Sequence, residues 1–145
     1  MEKHSDCYFQ LFTNATLLTE EVAFRLKRWE MLPSDQYRRI ERRERYPPWE
    51  RWCIGSYDRG VRACRKARLI FGVAASICRS NYEDLVSRAH IERMAREGAL
   101  YLWYYIYRPV GAVPNVENAL TKEQIRDFRR FIVEQRRDAP LFIID

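Results

Sequence analysis

The chain has 145 residues, 47% of them hydrophobic and 32% charged, a composition typical of one globular domain and not of a disordered polypeptide. No apolar run approaches the roughly 20 residues of a membrane-spanning helix, and the N-terminus lacks the apolar centre of a signal peptide. We therefore expect a cytoplasmic protein that does not enter a membrane. The formal net charge of +6 suggests nucleic-acid binding, but acidic residues interleave with the arginines, which favours solvated helix faces and makes a nucleic-acid partner a weaker expectation.

The first predicted elements are a strand and a helix. Residues 8–12, YFQLF, form a short aromatic and apolar run that ends at a Thr-Asn-Ala-Thr turn signal, which predicts a buried strand. Thr19 then precedes Glu20 and Glu21, an order that predicts a helix N-cap and a helix extending to about Lys27.

The segment 28–56 has no clean apolar face. Five arginines lie between positions 38 and 45, and Pro47-Pro48, Trp49 and Trp52 follow. We predict an irregular segment that contains at most a short exposed helix and a loop.

The pattern becomes regular after residue 57. The apolar runs 69–75 and 99–107 predict strands, and Asn81 is the predicted N-cap of the helix between them. Thr121 and Gln124 form a capping-box pattern before a third helix, and residues 141–144 predict a last strand. The alternation of strands and helices predicts an α/β fold over residues 1–145, either an open parallel sheet or a partial (β/α) barrel.

Metal-ligand patterns are absent from the sequence. The four cysteines are widely spaced and no pair lies at CxxC distance, so neither a zinc site nor a redox motif is indicated, and we predict no metal ligand. His90 lies in a predicted helix and is interpreted as structural.

Candidate binding residues follow the predicted strands, because ligands in α/β folds collect beyond the carboxyl ends of the strands. This rule selects Thr13-Asn14 after the first strand, Ser76 to Asn81 after the second and Tyr107-Arg108 after the third. Each of these sites can also be explained by a structural role, such as a turn or an ion pair. The residues alone do not decide between a structural role and a binding role.

Four stretches of the chain resemble a known family. LFTNATLLTEEVA resembles the third strand and turn of the radical S-adenosylmethionine (SAM) superfamily, where LFTNGTLLT is common, so Ala15 replaces a glycine. RLIFGVAASICRSNYEDLV resembles the fifth strand with its helix, GALYLWYYIYRPVG resembles the sixth strand, and the C-terminal 27 residues resemble a SPASM-like subgroup.

This resemblance implies part of a (β/α) barrel that binds SAM and a four-iron, four-sulfur cluster and forms a 5′-deoxyadenosyl radical. Asn14, Ser76, Arg79, Tyr107 and Arg108 would then line the cofactor side. The family's CxxxCxxC cluster loop has no counterpart in this sequence. We therefore expect an internal fragment of a radical SAM core that binds no cluster and is inactive alone, with an unknown substrate and, in the intact family, a reductant as partner.

Residues 28–56 depart from the family, and a frameshift is our hypothesis for this departure. Residues 29–33 can be encoded as TGG GAA ATG TTA CCC, which reads GNVT from its third base and so matches the family's fourth strand. A frameshifted segment would replace a central strand with arginine-rich sequence. Two alternatives remain open: a nucleic-acid-binding module that uses the arginines between Arg38 and Arg51 with Tyr46, Trp49 and Trp52, and a degenerate fragment without function.

Overall fold

A computed structural model describes residues 9–28, 31–37 and 58–145, and its centre is a five-stranded sheet. The strands lie in sequence order and every neighbouring pair is parallel. They are β1 (Phe9–Thr13), β2 (Met31–Tyr37), β3 (Gly72–Ile77), β4 (Tyr101–Ile106) and β5 (Phe142–Ile144).

Helices connect the strands, as parallel pairing requires. They are α1 (Glu20–Arg28), α2 (residues 58–66), α3 (Tyr82–Leu85), α4 (Arg88–Arg96) and α5 (Lys122–Gln135). The predicted α/β class with parallel strands and helical crossovers is therefore confirmed. Within the described ranges, no helix has both the length and the apolar character for crossing a bilayer.

Strand β2 corrects the prediction for the segment 28–56. Met31–Tyr37 pairs with β1 on one side and with β3 on the other, so these residues form a central strand where we predicted an irregular segment. Parallel pairing uses backbone groups and does not require an apolar stripe. Pro33 of β2 has no N–H to donate, and a proline is unusual in a central strand, so the sequence of this segment does not predict one. The arginines from position 38 to 51 lie outside the described residues.

Two of the three predicted caps are confirmed. The Thr19 hydroxyl accepts from the Val22 N–H at 3.3 Å, and at the start of α5 Thr121 accepts from the Gln124 N–H at 3.1 Å. The Gln124 side chain accepts in return from the Thr121 N–H at 3.0 Å, which completes the capping box.

The predicted cap at Asn81 is wrong. Asn81 occupies the N-cap position of α3, but its side chain makes no capping bond there. The predicted helix is also broken after Leu85, and Ser87 caps α4 by accepting from the His90 N–H at 3.2 Å. Local sequence favoured one helix here, but the Asn81 side chain instead stabilises the loop that follows β3.

The core lies between the sheet and the helices, and it includes Ala23 of α1 and Cys64 of α2. Phe128 and Ile132 of α5 are each 1% exposed, and the Phe128 ring packs edge-on against Tyr104 with the centroids 5.5 Å apart. The Tyr104 hydroxyl donates to the Leu85 carbonyl at 2.8 Å, so its one buried polar group is satisfied. His90 is also buried, in agreement with its structural interpretation.

The turn after β1 contains a residue that glycine would suit better. Ala15 has φ of 56°, in the left-handed region that L-residues disfavour. It is fully buried, and a Cβ placed on Gly60 of α2 would lie 2.6 Å from the Ala15 carbonyl oxygen. This close approach brings α2 against the turn and explains why a glycine occupies position 60.

Candidate functional site

The described helices pack against one face of the sheet, and the opposite face is here called the inner face. The parallel register aligns Phe12, Ser34, Gly72 and Tyr101 in one row across four strands. The next rows toward the carboxyl ends contain Ala74 with Trp103, then Ser76 with Tyr105. Successive rows on one face are two residues apart in each strand.

The sheet curves around this inner face. In a flat sheet, β1 and β4 would lie about 14 Å apart, because neighbouring strands are separated by about 4.8 Å. Nevertheless, Gln10 Nε2 of β1 donates to the Tyr101 hydroxyl of β4 at 3.0 Å. The Phe12 and Trp103 rings also meet across the sheet, with their centroids 5.9 Å apart.

Small residues on β3 make these cross-sheet contacts feasible. A Cβ on Gly72 would lie 2.1 Å from the Tyr101 ring, so that ring rests directly on the glycine backbone. The inner face is therefore closed in two layers, first by Gln10 and Tyr101 and then by Phe12 and Trp103. The row beyond the second layer, at the carboxyl ends of β3 and β4, contains Ser76 and Tyr105.

This end of the inner face, marked by Ser76 and Tyr105, is here called the mouth. They are register partners in β3 and β4, and the Tyr105 ring stacks on Trp103 with centroids 5.1 Å apart and an interplanar angle of 24°. Tyr105 is 39% exposed, so one side of this stacked pair faces solvent. Partial burial, and secondarily the nearby Tyr101, raise the pKa of Tyr105 above its ordinary value.

The five predicted site residues lie at this same edge of the sheet. Asn14 follows β1 and accepts from both the backbone N–H and the hydroxyl of Thr16, at 3.2 and 2.8 Å. Ser76 is the penultimate residue of β3 and lies on the inner face. Arg79 is exposed in the 3-10 turn that follows the strand. The Tyr107 N–H donates to the Ile77 carbonyl at 2.8 Å, which extends the β3–β4 pairing past Ile106.

Arg108 is the fifth predicted residue and is exposed. It lines a cavity of about 460 Å³ beside the upper part of β4, together with Trp103, Tyr105, Arg129 and Asp145. The Asp145 carboxylate pairs with Arg129 at 2.6 Å and with Arg136 at 2.5 Å, so these two arginines have an anionic partner. Arg108 makes no hydrogen bond or ion pair with the residues that the structure describes.

Asn81 has a supporting role at the mouth that the sequence did not reveal. Its side-chain oxygen accepts from the Cys78 N–H at 2.8 Å, and its Nδ2 donates to the Ser76 carbonyl at 3.0 Å. The Asn118 side chain also accepts from the Ser80 N–H at 3.1 Å. These bonds hold the loop after β3, and hence Ser76 and Arg79, beside the strand ends.

The inner-face aromatics were also missed as site residues. Phe12, Trp103 and Tyr105 were assigned to strands, and strand periodicity alone does not say which face a helix covers. The available signal was the alternation in β4, where Tyr101, Trp103 and Tyr105 share one face opposite Leu102 and Tyr104.

The described residues do not form a site for an iron–sulfur cluster. No group of three potential metal ligands occurs within residues 9–28, 31–37 and 58–145. Cys64 is buried in α2, whereas Cys78 follows β3 and lies 3.3 Å from the Ser80 hydroxyl. The alternative nucleic-acid module, built on Arg38 to Arg51 and on Tyr46, Trp49 and Trp52, lies outside the described residues.

Comparison with known proteins supplies one further observation. No protein-family model and no curated protein matches the chain. Among solved structures it matches one described as native anSMEcpe with bound AdoMet (S-adenosylmethionine), with a TM-score of 0.70 and 14% identity. The likeness establishes the fold. It covers 98% of this chain and 41% of that chain, so the present chain spans less than half the length of the protein it matches.

Proposed function

We propose that this chain is part of a radical SAM enzyme core and that the mouth of its curved sheet binds S-adenosylmethionine. The observation that carries the proposal is the mouth itself, where an aromatic floor meets polar side chains at the carboxyl ends of parallel strands. Ligands in α/β folds bind at this end. The shared fold with a protein that holds AdoMet supports the same assignment.

The residues of the mouth fit the chemistry of this ligand. The open side of the stacked Trp103–Tyr105 pair offers a surface for the adenine ring. The Ser76 hydroxyl and the Asn14 amide offer hydrogen bonds to ribose or amino-acid atoms, and Arg108 offers a charge partner for the carboxylate. Arg79 and Tyr107 lie beside these groups, after the ends of β3 and β4. When bound, S-adenosylmethionine supplies the adenosyl group that this family converts to a radical.

The cluster that such chemistry needs does not fit the residues of this chain. The sequence contains no CxxxCxxC motif that could hold it. The chain alone is therefore expected to bind the nucleoside ligand weakly and to leave it intact. After anaerobic reconstitution with iron and sulfide, it should contain well under one cluster per chain. A stoichiometric four-iron spectrum together with SAM cleavage would contradict this expectation.

Calorimetric titration with S-adenosylmethionine tests the binding proposal. We expect saturable binding with one site per chain, weakened at least tenfold by Tyr105→Ala because a stacking surface is lost. The control is Tyr82→Phe, which changes a tyrosine that bonds the Gln124 carbonyl on the helix-covered side. The absence of saturable binding by the folded chain, or equal losses in both variants, would refute the proposal.

Two finer assignments belong to the same proposal. The C-terminal resemblance supports membership of a SPASM-like subgroup, and the out-of-frame match at residues 29–33 supports a frameshift within residues 28–56. Resequencing the encoding DNA tests the second assignment, since single-base slips should lie near codons 27–33 and 53–57. An intact frame, with close relatives that carry the same arginine-rich segment, would refute it.

A further inference from the structure

The net charge of the protein is unevenly distributed over the described residues. Residues 9–28 and 58–70, which contain α1 and α2, carry eight basic and three acidic side chains, a net formal charge of +5. Residues 71–145 carry eleven basic and ten acidic side chains, a net charge of +1. The interleaving of charges predicted from the sequence therefore describes the second region and not the first.

Helices α1 and α2 form one continuous surface. They are the successive crossovers between β1, β2 and β3, and Lys66 of α2 pairs with Glu20 of α1 at 2.6 Å. Gly60 of α2 also packs against the Ala15–Leu18 turn that precedes α1. We call this the α1–α2 surface. Its eight basic residues are all exposed: Arg25, Lys27, Arg28, Arg59, Arg62, Arg65, Lys66 and Arg68.

Three of these eight basic side chains have no anionic partner among the residues that the structure describes. They are Lys27, Arg28 and Arg62, whose side chains make no hydrogen bond or ion pair with other residues in the described ranges. The contrast with α5 is direct, because its Arg126 pairs with Glu123 at 3.4 Å and its Arg130 with Asp127 at 3.0 Å. Uncompensated like charges on one surface repel each other and raise the local concentration of anions.

We infer that the α1–α2 surface binds the phosphate backbone of nucleic acid without reading its sequence. Six of the eight basic residues are arginines, whose planar guanidinium groups bind phosphate oxygens in a bidentate manner that lysine cannot reproduce. On α2, Arg59, Arg62 and Lys66 recur at helical spacing on neighbouring turns, a row of charges that suits a linear polyanion. This surface is separate from the mouth, so the inference does not depend on the proposed function.

The test is fluorescence anisotropy of a labelled 20-nucleotide oligothymidylate with the full chain, at salt concentrations from 50 to 300 mM. The variant Lys27→Gln/Arg28→Gln/Arg62→Gln removes three charges from the α1–α2 surface. The matched control, called the α5 variant, is Arg126→Gln/Arg130→Gln/Arg137→Gln, which removes two charges from α5 and one from the turn that follows it. Glutamine is a good helix former, so we expect both variants to remain folded, and thermal melts check this.

We expect the parent to bind with micromolar affinity at 50 mM salt and to lose most of that affinity by 200 mM. The α1–α2 variant should bind at least tenfold more weakly at 50 mM, and its slope of log K against log salt should be shallower by about 2, since each phosphate contact contributes about 0.7. The α5 variant should change affinity less than threefold.

Three results would overturn the inference. Equal losses in the two variants would show that net charge acts without a defined surface. Unchanged binding by the α1–α2 variant would place the contact elsewhere in the chain. Competition by polyglutamate as effective as that by unlabelled oligothymidylate, at equal charge concentration, would assign the surface to acidic polypeptides instead.

Discussion

The two faces of the sheet use aromatic residues in opposite ways. On the helix-covered face, Tyr104 is 2% exposed and packs against Phe128, with its hydroxyl bonded to a backbone carbonyl. On the inner face, its sequence neighbour Tyr105 is 39% exposed and stacks on Trp103 beside the mouth. One residue of displacement along β4 thus separates an aromatic that stabilises the fold from one that is available to a ligand.

Substitution of one phenylalanine on each face of the sheet should give the largest difference in stability. Phe128→Ala should lower the free energy of unfolding by about 3–5 kcal/mol, because Phe128 is 1% exposed and its removal leaves a cavity. Phe142→Ala, on the inner face with 71% exposure, should cost less than about 1 kcal/mol. Urea unfolding of both variants measures the difference. Similar losses would mean that the inner face also forms core.

Removal of the hydroxyl from Tyr104 or from Tyr105 should give a smaller difference in the free energy of unfolding. Tyr104→Phe leaves the Leu85 carbonyl without its buried donor and should cost about 1–2 kcal/mol, whereas Tyr105→Phe should change stability by less than about 0.5 kcal/mol. Chemical denaturation at pH 7 compares the two variants. A larger loss from Tyr105→Phe would reverse the assignment of the faces.

Alkaline pH gives an independent test of the same pair. Burial raises the pKa of Tyr104 above its ordinary value near 10, so the folded state keeps a proton that the unfolded state releases. The contribution of Tyr104 to stability is complete below pH 10 and declines above it, by up to about 1.4 kcal/mol per pH unit. The stability difference between the parent and Tyr104→Phe should therefore shrink above pH 10, and a constant difference would contradict this account.

The smallest effect concerns the turn at Ala15. Ala15→Gly should raise the free energy of unfolding by about 0.5 kcal/mol, because relief of the left-handed conformation exceeds the extra entropy of glycine in the unfolded chain. The same substitution at exposed Ala89 of α4 should instead lower stability by about 0.5–1 kcal/mol. Thermal unfolding measures the change in stability of both variants. A loss of stability in both would show that the conformation of Ala15 is unstrained.

The sequence predicted well those features that depend on local pattern. Apolar runs and caps identified β1, β3, β4, β5 and α5, since each combines a clear period with terminal signals such as Thr121 and Gln124. The family glycine replaced by Ala15 proved to occupy a position with positive φ, which explains why glycine suits it. The rule that ligands bind at the carboxyl ends of strands also selected Asn14, Ser76 and Tyr107, which lie at one edge of the sheet. Their role in binding stays a prediction.

Features that depend on distant contacts were not predictable in this way. Strand β2 is specified by pairing with β1 and β3 and not by its own apolar pattern, so Met31–Tyr37 was missed. Asn81 was assigned to a cap because its bonds to Cys78 and Ser76 depend on how the loop after β3 folds. The meeting of Phe12 with Trp103 requires the curvature of the sheet, which no local window encodes.

The most direct test of the central claim is a map of amide chemical shifts of the ¹⁵N-labelled chain during titration with S-adenosylmethionine. Binding at the mouth predicts saturable changes confined to the strand ends, at residues 14–16, 76–80 and 105–108, with α4 and α5 unaffected. Changes centred on α5 or on the α1–α2 surface, or no saturable change in a folded chain, would contradict the claim that the inner face of this sheet is the ligand site.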